Sequence, residues 1–357
     1  MNSQKNNKME YINSILTQSA TTIAQIHTNR PHSLFQNELC AIVVCGDAYL
    51  QEKPTSAENI SKFFVDNKKC IERLYQQLSG QFWLVVFDKI SGELYLVNDH
   101  FGMQPCFYSI QHNVLHISDS LKKLKSISEL SFSISEQALF NYMYFHCIPS
   151  PNTIFEQVAK LEPGKAVIFE QRKADLTFSV KEQLLYCPSF NQKKAEESGS
   201  QKVCLDVIEK AVTKHASDEC GAFLSGGLDS SSVAGMLAKS QSPAKTFSIG
   251  FTIDGYDETP YAKLTAKHFG TQHEVLYMQP EQAAQEFVNV AQYFDEPFGN
   301  SSAMATYFCA KFAKSHGVSR LLAGDGGDEL FAGNDRYAKQ KQFEFYQQVP
   351  SVIRGIT

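Results

Sequence analysis

The chain has 357 residues, enough for two domains, and a net charge of −5, which leaves no basic footprint for nucleic acid. Hydrophobic residues make up 43% and fill two cores, yet no apolar run reaches the ~18 residues of a membrane span. The first ten residues are polar and lack the apolar centre of a signal peptide. The nine cysteines form no Cys-x-x-Cys pair and the ten histidines show no metal spacing, so both read as residues of a reduced, cytoplasmic protein.

In chain order, Phe82–Asp88 and Leu94–Asp99, joined by Ile90-Ser91-Gly92, predict a β-hairpin, with further hairpin signals up to Ser120. Lys181–Lys202 is polar and mixed and reads as a loop. Gly221–Leu224 predicts a buried strand, then a Ser-Gly-Gly turn, then a helix through Leu237. Lys245–Phe251 and Gln272–Tyr277 predict strands; Asp257–Phe269 predicts a helix stopped by Gly270, and 281–294 and 302–316 predict two more. Leu321–Ala323 predicts a last strand before an acidic, Gly-rich loop. Strands alternating with helices of this length argue a doubly wound parallel sheet, in which ligands sit at the carboxyl ends of strands.

Two stretches carry chemistry. Ser225-Gly226-Gly227-Leu228-Asp229-Ser230-Ser231 places a glycine turn between a buried strand and a helix start, the geometry that holds phosphate. It lacks the spacing and lysine of a Walker A loop. Asp229 would repel an anion, so a carboxylate in that turn implies Mg²⁺ beside the phosphates. The second stretch is Gly324-Asp325-Gly326-Gly327-Asp328-Glu329-Leu330-Phe331, whose clustered carboxylates beside a buried strand call for a cation or ligand. Both stretches start at strand ends, so they can face one site.

The first stretch resembles the PP-loop of N-type ATP pyrophosphatases. The second resembles the acidic loop of asparagine synthetases. Asp99-His100-Phe101-Gly102-Met103-Gln104-Pro105 resembles a segment of the glutaminase domain of the same enzymes, and Pro149–Phe155 with Leu161–Gly164 resembles their interdomain segment. The resemblance implies an Ntn-hydrolase-like α+β domain followed by a PP-loop α/β domain. We expect boundaries of 1–165 for the first, 166–200 for a linker and 201–357 for the second.

Carried over residue by residue, the resemblance implies that Ser225, Gly226, Gly227, Ser230 and Ser231 hold pyrophosphate. Asp229 and Asp328 match the Mg²⁺ ligands and are the candidate catalytic groups. Phe223, Ile249, Ala323 and Gly324 match positions that contact the adenosine of ATP. Asp295-Glu296-Pro297-Phe298-Gly299-Asn300-Ser301-Ser302 resembles a stretch near the carboxylate substrate, with Asn300 in place of the usual acid. It makes Asp295, Glu296, Asn300 and Ser301, with Asp325 and Glu329 of the acidic loop, candidate substrate-binding residues. Tyr256, Asp257, Glu258 and His273 fit the family pattern and are equally readable as structural.

The glutaminase-like half reads as chemically disarmed. The family uses Cys as its first mature residue; here Asn2 follows Met1 and the first cysteine is Cys40. Cys45-Gly46-Asp47 stands where Asn-Gly-Glu helps bind glutamine, and Ser56-Ala57 about where an acid holds its amine. After the acidic loop, Asn334–Thr357 reads as one helix and a tail, with Lys339 and Lys341 as solvated side chains. Related enzymes continue further, so three readings stay open, a fragment, one half of a split enzyme, or a chain completed by a partner that supplies that region; a homodimer is the other expected assembly. The resulting reading is an ATP- and Mg²⁺-dependent ligase that adenylates a carboxylate, aspartate foremost, and transfers it to ammonia. Two alternatives stay open: an internal amine as nucleophile, as in β-lactam synthetases and lasso-peptide cyclases, and a non-catalytic remnant that binds nucleotide or a partner.

Overall fold

The computed structural model describes residues 12–18, 21–28, 30–172, 174–189, 200–252, 255, 257–331, 333, 337 and 339. The chain divides into two units, Met1–Phe190 with Ala291–Asn300, and Asn191–Val290 with Ser301–Thr357.

The first unit is built from two sheets. Its strands are β1 (Ile12–Gln18), β2 (Thr21–Thr28), β3 (His32–Gln36), β4 (Cys40–Leu50), β5 (Lys53–Pro54), β6 (Leu78–Asp88), β7 (Glu93–Asn98), β8 (Phe107–Gln111), β9 (Val114–Ser118), β10 (Ala159–Lys160), β11 (Lys165–Gln171) and β12 (Phe178–Leu184). Among the described residues one sheet has the order β12-β11-β7-β6-β4-β3, with β5 beside β4, and the other β1-β2-β9-β8-β10. The expected hairpin is β6–β7, paired antiparallel from Trp83↔Asn98 to Phe87↔Leu94.

Alternation decides the layering, because successive strand side chains face opposite sides. On β4 and β6, Ala41, Val43, Cys45, Trp83, Val85 and Phe87 face a core shared with Ile23, Ile26, Leu115 and Ile117 of the other sheet. The intervening Ile42, Val44, Phe82, Leu84 and Val86 face a second core with helices α1 (Ala57–Asp66) and α2 (Ile71–Gln77). Helix α1 starts because Ser56 Oγ accepts from Asn59 N at 3.4 Å, and it buries Ala57, Ile60, Ser61 and Phe64, one helical stripe. Two short helices follow, α3 (Leu121–Lys125) and α4 (Glu136–Phe145). The buried Asp99 shapes the turn after β7: its carboxylate accepts from the backbone N–H groups of Phe82 at 3.2 Å, Phe101 at 2.9 Å and Met103 at 3.0 Å.

The segment expected as a linker, 166–200, differs over its first part. Lys165–Gln171 and Phe178–Leu184 pair with each other, and Ala166–Glu170 pairs with β7, so both strands extend the first unit's sheet. The physical reason is burial: Ala166, Val167 and Phe169 are enclosed in the two cores, while β12 is a largely exposed edge strand whose polar composition resembles a loop. A second difference is that Ala291–Asn300 packs with this unit.

The second unit contains β13 (Cys220–Phe223), β14 (Lys245–Phe251), β15 (Gln272–Met278) and β16 (Arg320–Leu322), all parallel in the order β15-β14-β13-β16. Helices α5 (Ser200–Thr213), α6 (Leu228–Ser240), α7 (Thr259–Phe269), α8 (Pro280–Tyr293), α9 (Ser302–Ser315) and α10 (Gly327–Phe331) connect or flank them. The predicted strands and helices stand within a few residues of these bounds, and Gly270 closes α7 in the left-handed conformation at φ 66°. Cys220, Ala222 and Leu224 of the β13 segment pack with α6 and α7 on one face, and Phe223 packs with α9 on the other. The first strand sits between β14 and β16, so the sheet reverses direction of growth at the β13–β16 boundary. Open parallel sheets bind ligands at such a point.

Trp83 is fully buried between the two sheets of the first unit. Trp83→Ala is expected to cost about 3–5 kcal/mol, measured as a fall in the urea midpoint; an unchanged midpoint would contradict the packing described.

Candidate functional site

The site follows from strand register. Gly221 pairs with Leu321 and Ala222 with Leu322, so β13 and β16 end at the same level and their loops leave side by side. The turn after β13 is closed by its own hydroxyls: Ser225 N donates to Ser230 Oγ at 3.2 Å, Gly227 N donates to Ser225 Oγ at 3.3 Å, and Ser230 Oγ donates to Gly227 O at 3.2 Å. Gly226 has φ 92°, and a Cβ there would lie 2.5 Å from Tyr261 Cβ, so only glycine makes this turn. Gly227 is the N-cap of α6 and offers no side-chain acceptor to the first N–H groups of that helix. A 13-residue helix thus opens its N-terminus toward the turn, where an anion is favoured.

The acidic loop packs against this helix start. A Cβ on Gly324 would lie 2.7 Å from Asp229 Cβ, and one on Gly327 would collide with the Asp229 carboxylate. Gly327 N donates to Gly324 O at 3.1 Å, which turns the loop tightly around Asp229. The result is a cavity of about 490 Å³ lined by Phe223, Ser225, Gly227, Asp229, Ser230, Ala323, Gly324, Asp325 and Asp328. All nine were expected at the site. Leu228, Thr306 and Gly333 complete the lining and were not expected. Thr306 lies on α9 with no motif around it; only the fold brings it to the strand ends.

A second cavity of about 320 Å³ shares Phe223, Ser225 and Thr306 with the first and contains the expected Ile249. Phe247, Phe251, Thr259, Ala262 and Cys309 make it more apolar, and burial pushes the Cys309 thiol up to about 12. Together the two cavities offer an acidic end and an apolar end, each of ligand-binding size.

Three carboxylates face the first cavity, and among the described residues its lining contains no lysine, arginine or histidine. Among the described residues no three His, Cys, Asp or Glu side chains group closely enough to hold a metal alone. Oxygen-only donors with an incomplete shell suit Mg²⁺, which is usually bound by one or two carboxylates plus phosphate oxygens and water. Asp229 and Asp328 fit that role.

Other expected residues lie elsewhere. Ser231 Oγ meets Thr265 Oγ1 at 3.3 Å, between α6 and α7. Glu329 is on α10 and accepts from Tyr337 OH at 3.3 Å. Asp295, Glu296 and Asn300 belong to the segment that packs with the first unit, and Ser301 caps α9. Asp295 Oδ1 accepts from Ser120 Oγ at 2.7 Å, and Glu296 pairs with Lys160 at 2.6 Å. Asp257 accepts from Thr259 N and Oγ1 at the start of α7, and Glu258 lines the second cavity. His273 Nδ1 meets Thr246 Oγ1 at 3.1 Å, and burial lowers its pKa, which fits a neutral structural ring. Tyr256, Lys341 and most of 334–357 lie outside the described residues.

Comparison with known proteins adds to this geometry. The asparagine synthase family profile matches residues 204–354, and the glutamine amidotransferase domain profile matches residues 60–179. The chain is 30% identical over 285 residues to asparagine synthetase [glutamine-hydrolyzing] 1 of Bacillus subtilis, covering 79% of this chain and 44% of that protein. It is 32% identical over 286 residues to a putative asparagine synthetase [glutamine-hydrolyzing] 2 of Methanocaldococcus jannaschii, covering 79% and 55%. It is 25% identical over 332 residues to amidase chry2 of Gibberella zeae, covering 83% and 47%. The chain spans about half the length of these curated relatives. Among the described residues no helix is long and apolar enough to cross a membrane.

The contact between Gly327 and Asp229 makes a sharp prediction. Gly327→Ala should leave the circular-dichroism spectrum intact and weaken Mg²⁺·ATP binding about tenfold or more, about 1.4 kcal/mol, by titration calorimetry. Gly326→Ala is the control for backbone strain, because its φ is 87° and nothing lies within 4 Å of its Cβ position. Equal affinity in Gly327→Ala and the native chain would contradict the site.

Proposed function

We propose, from the matches of residues 204–354 to the asparagine synthase profile and of residues 60–179 to the glutamine amidotransferase profile, that the chain performs ATP-dependent amidation through an acyl-adenylate. One observation carries the reading: the open N-terminus of α6 and three carboxylates meet in one cavity at the β13–β16 boundary. The β- and γ-phosphates of ATP rest on the Ser225–Gly227 turn, where backbone N–H groups and the hydroxyls of Ser225 and Ser230 act as donors. The adenosine extends past Phe223, Ala323 and Gly324 toward Ile249 in the apolar cavity. When bound, Mg²⁺ held by Asp229 and Asp328 supplies neutralisation of the phosphate charge.

A carboxylate oxygen of the acceptor, aspartate by family, attacks the α-phosphorus, and pyrophosphate leaves. Ammonia then attacks the acyl carbon, and AMP leaves with the oxygen that bridged them. The chain's contribution is alignment and charge placement, the usual share of a protein in phosphoryl transfer. Asp325, at the mouth of the same loop, is the described acid best placed to orient an amine on the acceptor.

Glutamine is not the nitrogen source in this reading. A glutaminase needs a thiolate, and Cys40, Cys45 and Cys106 are buried in the first unit's strands and turns. Burial pushes the Cys45 thiol up to about 12. Cys45-Gly46-Asp47 is paired through the ladder with Gln81–Trp83, so it is part of the sheet and not a free substrate loop.

Two measurements follow. Incubation with Mg²⁺, ATP, aspartate and ammonia should release AMP and pyrophosphate in equal amounts, and Asp229→Ala should lower the rate at least about a hundredfold, some 2.7 kcal/mol of transition-state stabilisation. Release that needs a larger amino acid or peptide in place of aspartate would point to intramolecular amidation, and nucleotide binding without AMP to a non-catalytic role. With glutamine in place of ammonia no glutamate should appear, and iodoacetamide on the native chain should label exposed Cys147 and Cys187 but not Cys40, Cys45 or Cys106. Glutamate release from glutamine would overturn the loss of glutaminase chemistry.

A further inference from the structure

Residues 291–300 are continuous in sequence with the second unit at both ends, yet they pack with the first. The attachment is specific. Asp295 Oδ1 accepts from Ser120 Oγ at 2.7 Å and from Lys122 N at 3.2 Å, and Lys122 Nζ donates to Gln292 O. Gly299 N donates to His146 O at 2.8 Å, and a Cβ on Gly299 would lie 2.9 Å from His146 Cβ. At the centre, Lys160 Nζ pairs with Glu296 Oε2 at 2.6 Å and donates to Ile148 O at 2.8 Å.

That ion pair is enclosed: the Glu296 side chain is 14% exposed and that of Lys160 21%. Burial raises the Glu296 pKa against the opposing pull of Lys160 and of the Ile154 backbone. A carboxylate taken out of water this far is retained by its cation, and loss of either partner leaves a buried, uncompensated charge. Glu296 is therefore committed to Lys160 in this structure.

We propose that Lys160 and Glu296 are positioning residues for the ligase reaction. The first unit grips the 291–300 segment through this pair and thereby fixes the chain that leads into Ser301 and α9, the helix carrying Thr306 of the cavity. The pair governs use of the acceptor carboxylate and leaves the phosphate turn, built wholly from β13, α6 and the acidic loop, untouched. This assigns the amidotransferase-like unit a task that does not depend on glutamine hydrolysis. The inference rests on the ligase reading given above.

The test uses the full chain with Lys160→Met, Glu296→Gln and the double apolar replacement Lys160→Met/Glu296→Leu. Deuterium exchange of the peptide covering 291–300 reports the grip without any need for activity. Each single variant should speed that exchange about tenfold or more and lower kcat/KM for the acceptor about tenfold, with KM for ATP within about twofold of native; the double variant should recover protection, since apolar pairs replace buried ion pairs well. Native exchange rates in both single variants would overturn the proposal. So would equal losses toward ATP and acceptor, the mark of general destabilisation. A native chain that releases no AMP with any carboxylate would refute the ligase reading instead, and the exchange rates would still decide the grip.

Discussion

Like charges crowded into one cavity are the constraint on which the second unit depends. Asp229, Asp325 and Asp328 face a common space whose lining, among the described residues, carries no basic side chain. Such a cluster persists in a folded protein because the surrounding fold imposes it, and it is relieved when a cation and an anion arrive together. The fold imposes it through backbone: the glycines at 324 and 327 let the acidic loop lie directly on Asp229, and Gly226 lets the phosphate turn pass beneath α7. Side chains at those positions would push the carboxylates apart.

The same logic explains the division of labour between the two cavities. The acidic one collects hard oxygen donors and a helix N-terminus; the adjoining one collects Phe247, Ile249, Phe251 and Cys309. A ligand that is charged at one end and a flat heterocycle at the other satisfies both at once. Phe223 and Thr306 border both, so they mark where the charged part gives way to the uncharged part. In the first unit, Trp83 and Cys45 face each other across neighbouring strands in a core without exposure, and burial pushes the Cys45 thiol up to about 12.

Much of this was legible in the sequence where local pattern and long-range structure agree. The strand at Cys220–Phe223, its turn and its helix are one contiguous unit of sequence, so their chemistry could be read directly. The parallel sheet was legible because alternating strands and helices admit few other packings. What was not legible depended on residues distant in the chain. The partners of Asp295 and Glu296 are Ser120 and Lys160, separated by 175 and 136 positions, and no motif links them. Thr306 reaches the cavity only because α9 crosses the strand ends. The strand Phe178–Leu184 was hidden for another reason: an exposed edge has little apolar residue content, and its polar sequence is that of a loop until the neighbour β11 is in place.

In the proposed reaction a carboxylate of the acceptor becomes bonded to the α-phosphorus of ATP in the cavity between the two loops. Aspartate labelled with oxygen-18 in its side-chain carboxylate tests this directly, with AMP and pyrophosphate analysed by mass spectrometry after reaction with ammonia. Adenylation of that carboxylate yields AMP carrying one heavy oxygen and unlabelled pyrophosphate. Unlabelled AMP, or heavy oxygen in inorganic phosphate beside ADP, would contradict it.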